Sequence, residues 1–441
     1  MKFYILMICL IILGIILNIF SYSSFLSLLS IVWYIASILI IYAGIKYSKR
    51  YKFIQLNFKK IFDAIKSKSK NNVSPLSSLS MSLAAKIGVG SLSGVALALY
   101  FGGVGSIFFM CIISMLVSIN TYVECKLGIK YRERFGNSFV GGPSFYISKC
   151  LNNKYLSVLY SVLVIGTYSG LFLSIQSNTI VSVLSEYNIN TLLVVILLSI
   201  LTFVIIIKGV DNIFLVDSIL VPIMIIFYLS LGIYVVINSN NLLDIFKMMI
   251  REAFNLKSII PVFLIGMQRA IFISESGIGT SAISASACDN DPDKQGLLEV
   301  MGIHITTFFI CFITFLIIVT SDYYLIDFGN INGIEIVMYA FCYHFGKFGK
   351  IILTIITILF AFSTIISGYF FGENNVRLFT NNKRMINVFK VIVILIIFIS
   401  GYVSPNILWN LTDFFIALLA MINVFSILMI DRLKTRKIFK F

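Results

Sequence analysis

The residues that could do chemistry in this chain gather at two glycine-rich interruptions. Gly88-Val89-Gly90-Ser91-Leu92-Ser93-Gly94 lies inside an apolar run, about 82–101, that is long enough to cross a bilayer. Glu275-Ser276-Gly277-Ile278-Gly279-Thr280-Ser281 interrupts a second run, 259–287. Each interior glycine costs a helix roughly 1 kcal/mol against alanine, so neither stretch favours an unbroken helix. At membrane depth the freed backbone groups must be satisfied inside the protein, and such breaks persist only where they are buried or line a cavity. Half-helix N-termini favour an anionic group such as a carboxylate. Unwound carbonyls and half-helix C-terminal ends favour a cation, and paired breaks in two halves of a chain point to a transport site near the midplane. A zwitterion carried with a cation meets both demands. The competing reading is close helix contact through small residues.

Lys86 stands two positions before the first break, where a lysine is costly and by default a functional group. Two readings stand. In one, its ammonium lies near the cation position as a tethered charge with Glu275 as partner, making transport independent of a free cation or proton-linked. In the other, the side chain snorkels to the membrane interface near Ser74. Arg269 and Glu275, beside the second break, read as a structural pair or as a gate. Gln176 and Asn178 lie mid-span, where polar groups serve either a pocket or interhelical hydrogen bonds.

The elements that must position these groups follow from composition. The chain has 441 residues, 59% hydrophobic and 12% charged, against about 25% charged in a soluble domain. Repeated apolar segments of about 20 residues account for the difference, so the chain reads as an all-α polytopic membrane protein. Its net charge of +15 reflects Lys and Arg collecting in cytoplasmic loops, and calls for no nucleic-acid partner. No convincing small-residue cleavage site follows the first apolar segment. The seven cysteines are scattered without a CxxC pair or a nearby His, which implies neither a disulfide frame nor a zinc site. No Ser/His/Asp set, metal cluster or phosphate loop suggests an enzyme, and neither an organic cofactor nor an obligate protein partner is implied.

Residues 1–45 hold two apolar segments, 3–20 and 25–45, ahead of a basic linker at 46–73. That linker sets Lys46, Lys49, Arg50, Lys52, Lys59, Lys60, Lys66, Lys68 and Lys70 against Asp63 alone, which places it in the cytoplasm. Crossings are expected at 75–102, 104–124, 155–180, 191–207 and 213–237, forming a first unit, 74–237. An amphipathic outer stretch, 238–258, precedes a second unit, 259–430, with crossings at 259–287, 296–320, 349–371, 385–402 and 411–430. A basic tail, 431–441, ends the chain. Of the 34 Lys and Arg, only Lys247, Arg251, Lys257, Lys347 and Lys350 fall outside, with Lys86 and Arg269 within spans. This asymmetry predicts about twelve helices in a cell membrane with both termini cytoplasmic. Five crossings is an odd number, so the two units enter from opposite sides as inverted repeats, with a break in the first helix of each.

Several motifs, in order, make the chain resemble the alanine or glycine:cation symporter family, also called sodium:alanine symporters. They run from Ser74-Pro75 through Val95, Gly103 through Arg132, Gly141-Gly142-Pro143-Ser144-Phe145-Tyr146-Ile147, Gln176-Ser177-Asn178, Arg269 through Gly296, and Phe362-Ser363-Thr364-Ile365-Ile366 to Gly372-Glu373. The resemblance implies a leucine-transporter-like fold of five plus five inverted helices with two discontinuous ones, and sodium-driven uptake of small neutral amino acids by alternating access. It implies a substrate site at Gly88, Gly90, Ser91, Gln176, Phe272, Ser274, Gly277, Gly279 and position 368. It also implies a sodium site from the carbonyls of Ala84 and Ile87 and the hydroxyls of Ser363 and Thr364, for which helix back-bonding is the plainer reading. Lys86, Arg269 and Glu275 take coupling or gating roles.

The departures are as informative. Val89 and Ser91 stand where the family has Thr and Asn, Ser274 where it has Asn, and Gly368 where it has Trp. If Gly368 faces the pocket, the site takes a side chain larger than a methyl. The expected function is sodium-coupled uptake of a small neutral amino acid. The rival readings are a sodium-independent or proton-coupled carrier using Lys86, and a transport-inactive sensor or binding protein.

Overall fold

A computed structural model describes residues 22–69, 73–135, 138–323 and 333–435. The first expected apolar segment, 3–20, lies outside the described residues, as does the end of the basic tail. The described chain is nearly all helical. Helix α1 (Tyr22–Arg50) runs into a short basic helix, α2 (Phe58–Ala64), and α3 (Pro75–Lys86) follows. Ser74 caps α3 by accepting from the Ser77 N–H at 3.0 Å, with Pro75 at the first helical position, where its missing N–H removes nothing. A turn at Val89–Ser91 leads into α4 (Ser93–Gly102), and the axis bends by 57° across the break. Next come α5 (Gly105–Tyr131), a hairpin of β1 (Glu133–Phe135) and β2 (Ser138–Val140), and α6 (Pro143–Leu151).

Helix α7 (Lys154–Ser185) contains a π-helical turn at Thr167–Phe172, and α8 (Thr191–Ile207) and α9 (Val210–Ile237) follow. Surface helix α10 (Leu242–Ala253) tucks Ile245, Met249 and Ala253 inward. The second broken helix is α11 (Ile259–Ser274) and α12 (Thr280–Ala287). The remaining helices are α13 (Pro292–Val319), α14 (Gly333–Phe345), α15 (Lys347–Val376), α16 (Lys383–Ser400) and α17 (Pro405–Thr435). Among the described residues seven helices are long and apolar enough to cross a membrane, and an eighth if α3 and α4 count as one bent span.

Helix α5 lies at the centre, packed by α1, α11, α12 and α13, while α15 is packed by α3, α7 and α9. Gly128 lets α5 approach α12 closely, since a Cβ there would stand 2.7 Å from the Ala282 carbonyl oxygen. One end of the bundle carries paired charges. Lys46 and Arg50 bind Asp431, Lys126 binds Asp293 and Arg132 binds Asp289; this is called the basic end below. Helix α13 starts at Pro292, earlier than expected, because Asp291 caps it from outside the apolar window by accepting from the Asp293 and Lys294 N–H groups. Helices α6 and α14 had no expectation, being too short and too polar to register as spans.

Candidate functional site

The two breaks lie side by side, and residues 81–96 and 269–288 are buried throughout. On the basic side, α3 runs beside α12, with the Ser78 hydroxyl donating to the Ser284 carbonyl at 2.9 Å and the Ser82 and Ser281 hydroxyls 3.3 Å apart. On the other side α4 packs against α11. The first break satisfies its freed carbonyls internally, as the bilayer demands. Ser91 Oγ donates to the Ile87 and Gly88 carbonyls at 3.1 and 2.8 Å, and the Val89 N–H donates to Gln176 Oε1 at 3.0 Å. Two glycines here sit in tight space. A Cβ on Gly88 would meet Thr364 Oγ1 at 2.5 Å and Gln176 Oε1 at 3.0 Å, and one on Gly90 would meet the Phe272 ring at 3.1 Å.

Helix α15 brings hydroxyls to this break. Thr364 Oγ1 is 2.6 Å from the Ala84 carbonyl oxygen and 2.8 Å from that of Phe360, and Ser363 Oγ donates to the Phe360 carbonyl at 3.1 Å. An oxygen-only set of this kind suits a hard monovalent cation as cargo. Ala84 and Thr364 thus meet, Ser363 shares the Phe360 carbonyl with Thr364, and the Ile87 carbonyl is committed to Ser91. The back-bonded reading of the two hydroxyls is also met, because Phe360 lies three and four residues before them.

The second break turns through left-handed backbone, with Glu275 at φ 52°, Gly277 at φ 80° and Gly279 at φ 108°. For a glutamate that conformation is uncommon, and here both carboxylate oxygens hold it. Tyr168 OH donates to Oε1 at 3.0 Å and Thr280 Oγ1 to Oε2 at 2.7 Å. Gly277 and Gly279 look away from the first break: a Cβ on Gly277 would press on Val424 and one on Gly279 on Pro143 and Tyr160. The freed carbonyls of Gly277 and Ile278 are also used outward, Asn423 donating to Gly277 at 2.9 Å and Tyr160 to Ile278 at 2.5 Å. Ser274 Oγ accepts from the Ser276 N–H at 3.3 Å, so it stays within its own turn.

Two expectations need correction. Arg269 does not pair with Glu275; its guanidinium binds Asp413 of α17 at 2.8 Å, close to the rings of Phe272 and Trp409. Glu275 leaves its helix at an αL residue that turns its carboxylate toward α7, out of reach. Gly368 does not open the wall beside the breaks, because its Cβ direction meets the Tyr168 carbonyl oxygen at 2.9 Å, and the Gly368 carbonyl accepts from Ser169 at 2.9 Å. The direction a side chain at 368 would take is occupied by the π-helical turn of α7. Of the two readings of Asn178 the interhelical one holds, since its side chain donates from α7 to the Ser400 and Val403 carbonyls.

Lys86 neither snorkels nor reaches the Ala84–Thr364 oxygens. It is 2% exposed, and its ammonium binds Ser82 Oγ, donates to Ser281 Oγ at 2.8 Å and lies 3.9 Å from Glu299 Oε2 on α13. Ala84 is two residues away and so faces α15, whereas Lys86 faces α12 and α13. Glu124 of α5 completes this buried group, accepting from Asn423 at 2.8 Å. Glu299, Glu124 and Asp413 were not singled out in the sequence. The signal was there, since each is an acid within an apolar stretch.

A helical membrane bundle with two adjacent buried breaks and an oxygen cluster against one of them is the architecture of a transporter, and comparison with known proteins agrees. The chain overlays the crystal structure of MhsT in complex with L-phenylalanine at a TM-score of 0.59, with 14% identity, over 82% of this chain and 88% of that one. It therefore has the leucine-transporter-type fold. The profile of the sodium:alanine symporter family matches residues 6–441, and the chain belongs to that family. Relatives include the amino-acid carrier protein AlsT of Bacillus subtilis, 29% identical over 91% of this chain and 88% of the relative. The probable sodium/glutamine symporter GlnT of the same organism is 29% identical, over 90% and 85%. The sodium/alanine symporter AgcS of Methanococcus maripaludis is 27% identical, over 82% and 83%. This is an amino-acid transporter of the membrane, not an enzyme.

Proposed function

We propose that the protein takes up a small neutral amino acid of the alanine and glycine class, driven by a sodium gradient. The two breaks belong to five-plus-five inverted repeats within about twelve helices, both termini face the cytoplasm, and the basic end is the cytoplasmic one. The observation that carries this reading is the Ala84, Phe360 and Thr364 oxygen cluster placed directly against Gly88 at the first break. Sodium binds there as cargo. The amino acid binds beside Gly88–Ser91 and Phe272, with Gln176 holding the turn and Phe172 and Trp409 flanking the Phe272 ring at 6.0 and 5.5 Å. Ion and substrate together favour the occluded form, and each raises the affinity for the other by the same factor. The Arg269–Asp413 pair lies on the side away from the basic end, where its breakage accompanies opening to the outside.

A second reading rests on a separate observation. Lys86, Glu299, Glu124 and Glu275 form a buried group with more carboxylates than cations, which supports proton-linked carriage. Uptake of a panel of labelled amino acids into proteoliposomes, with and without a sodium gradient and with a proton gradient, tests both. Sodium-driven flux supports the first reading, and flux indifferent to sodium but driven by protons supports the second. No flux and no binding for any member of the panel overturns both in favour of a sensor.

A further inference from the structure

One buried acid is used by neither break. Asp217 on α9 is 0% exposed, and neither of its carboxylate oxygens has a hydrogen-bond partner among the described residues. It interrupts an otherwise apolar buried stripe of Ile213, Val221, Met224 and Tyr228.

Its place is fixed by its neighbours. Phe214, three residues earlier, packs against Phe370 of α15 with ring centres 5.0 Å apart. Met224, seven residues later, receives the Ser363 hydroxyl on its sulfur at 3.6 Å. Seven residues are two helical turns and about 10 Å, so Asp217 shares the Met224 face. Helices α9 and α15 run antiparallel here, which puts Asp217 about two turns to the basic side of the oxygen cluster.

Among the described residues no charge is paired with it, and α8, which also packs against α9, carries none. Of the elements packed against α9, α3 contributes Lys86, which is committed to Ser82, Ser281 and Glu299. On α15, Glu373 binds Arg377 and Tyr369, and Lys350 binds Glu186 at the far end. On α13, Asp293 binds Lys126 and His304 meets the Gln55 carbonyl. A lone ionised carboxylate in such a place is several kcal/mol unfavourable, so the group either holds a proton or pairs with a mobile cation.

We propose that Asp217 is a transit site for the transported cation, where sodium leaving the Ala84–Phe360–Thr364 oxygens for the basic end pairs with the carboxylate and displaces a proton from it. The exchange balances: the carboxyl O–H bond breaks, the proton passes to water at the basic end, and sodium takes its place on the oxygen. This rests on the sodium-driven reading above.

The test uses the full-length protein in proteoliposomes with whichever amino acid the panel identifies. The sodium concentration for half-activation of uptake is measured as external and internal pH are lowered together. In the native protein it rises by up to about tenfold per pH unit, because protons compete. Asp217→Asn, which keeps the shape of the protonated acid, flattens that dependence while amino-acid binding at saturating sodium persists. An Asp217→Asn protein with the native pH dependence overturns the proposal. A second measurement needs no variant: adding sodium to the native protein in weakly buffered detergent releases protons, and no release overturns the proposal as well. If native uptake needs no sodium, the sodium-driven reading itself falls and the transit site with it, a result visible before any variant is made.

Discussion

Replacing Thr364 by valine removes one oxygen and almost no volume, which makes it the sharpest test of the ion site. The lost Oγ1 lies 2.6 Å from the Ala84 carbonyl and 2.8 Å from the Phe360 carbonyl, so it is a side-chain oxygen shared by α3 and α15 at the break. A hydrogen-bonding group that faces a charge contributes about 1.5–3 kcal/mol, and each 1.4 kcal/mol is tenfold. Thr364→Val therefore raises the sodium concentration for half-activation of uptake by about 10- to 100-fold. The Ala84 carbonyl also loses a donor inside the protein, which costs about 1–3 kcal/mol of stability. Thr364→Ser separates the two effects, because it keeps the oxygen and drops the methyl. The assay is uptake into proteoliposomes across a sodium titration, with thermal midpoints in detergent measured in parallel. A folded Thr364→Val protein whose half-activating sodium stays within twofold of the native value would refute the assignment, whatever its maximal rate.

Three further outcomes follow from the geometry. Lys86→Met leaves Glu299 buried without its cation and costs about 3–5 kcal/mol, while Lys86→Met/Glu299→Gln recovers a large part of the loss in thermal or denaturant unfolding; losses that simply add, within about 0.5 kcal/mol, would mean that the pair is not coupled. Asp413→Asn strips Arg269 of its only ionic partner among the described residues, so both the thermal midpoint and uptake fall, and stability returns in part in Arg269→Gln/Asp413→Asn; no recovery would remove the pair from the account. Gly368→Ala drives a methyl to 2.9 Å from the Tyr168 carbonyl oxygen and costs about 1–3 kcal/mol by overpacking, leaving the order of preferred amino acids unchanged, whereas a shift toward smaller substrates would place Gly368 against the substrate after all.

How far the sequence could be read depended on whether a property was local. The breaks were legible because glycine and serine at helix-disfavouring density inside an apolar run leave few other outcomes, and the structure bends 57° at the first of them. Helix α14 was not legible, since a 13-residue helix carrying Glu335 and His344 matches neither a span nor a loop. The fate of Gly368 was equally hidden: a missing side chain can open a cavity or admit a neighbouring backbone, and only the π-helical turn at Thr167–Phe172 decides which.

Charge partners were the least legible part, and Lys86 explains why. Its two sequence readings, a tethered cation and a snorkelling side chain, were both built from what lies within a few residues on its own helix. The partners that settle its direction, Ser281 on α12 and Glu299 on α13, belong to the other half of the chain. A buried ion is stable only where its counter-charge is near, so the informative question for Lys86 was which acids elsewhere sit inside apolar stretches. Glu124, Asp217, Glu275, Glu299 and Asp413 answer it. Four of them acquire hydrogen-bond or ion-pair partners in the folded bundle. Asp217 alone of these five keeps no partner among the described residues, and the absence of any structural use is what marks it as a place for a moving ion.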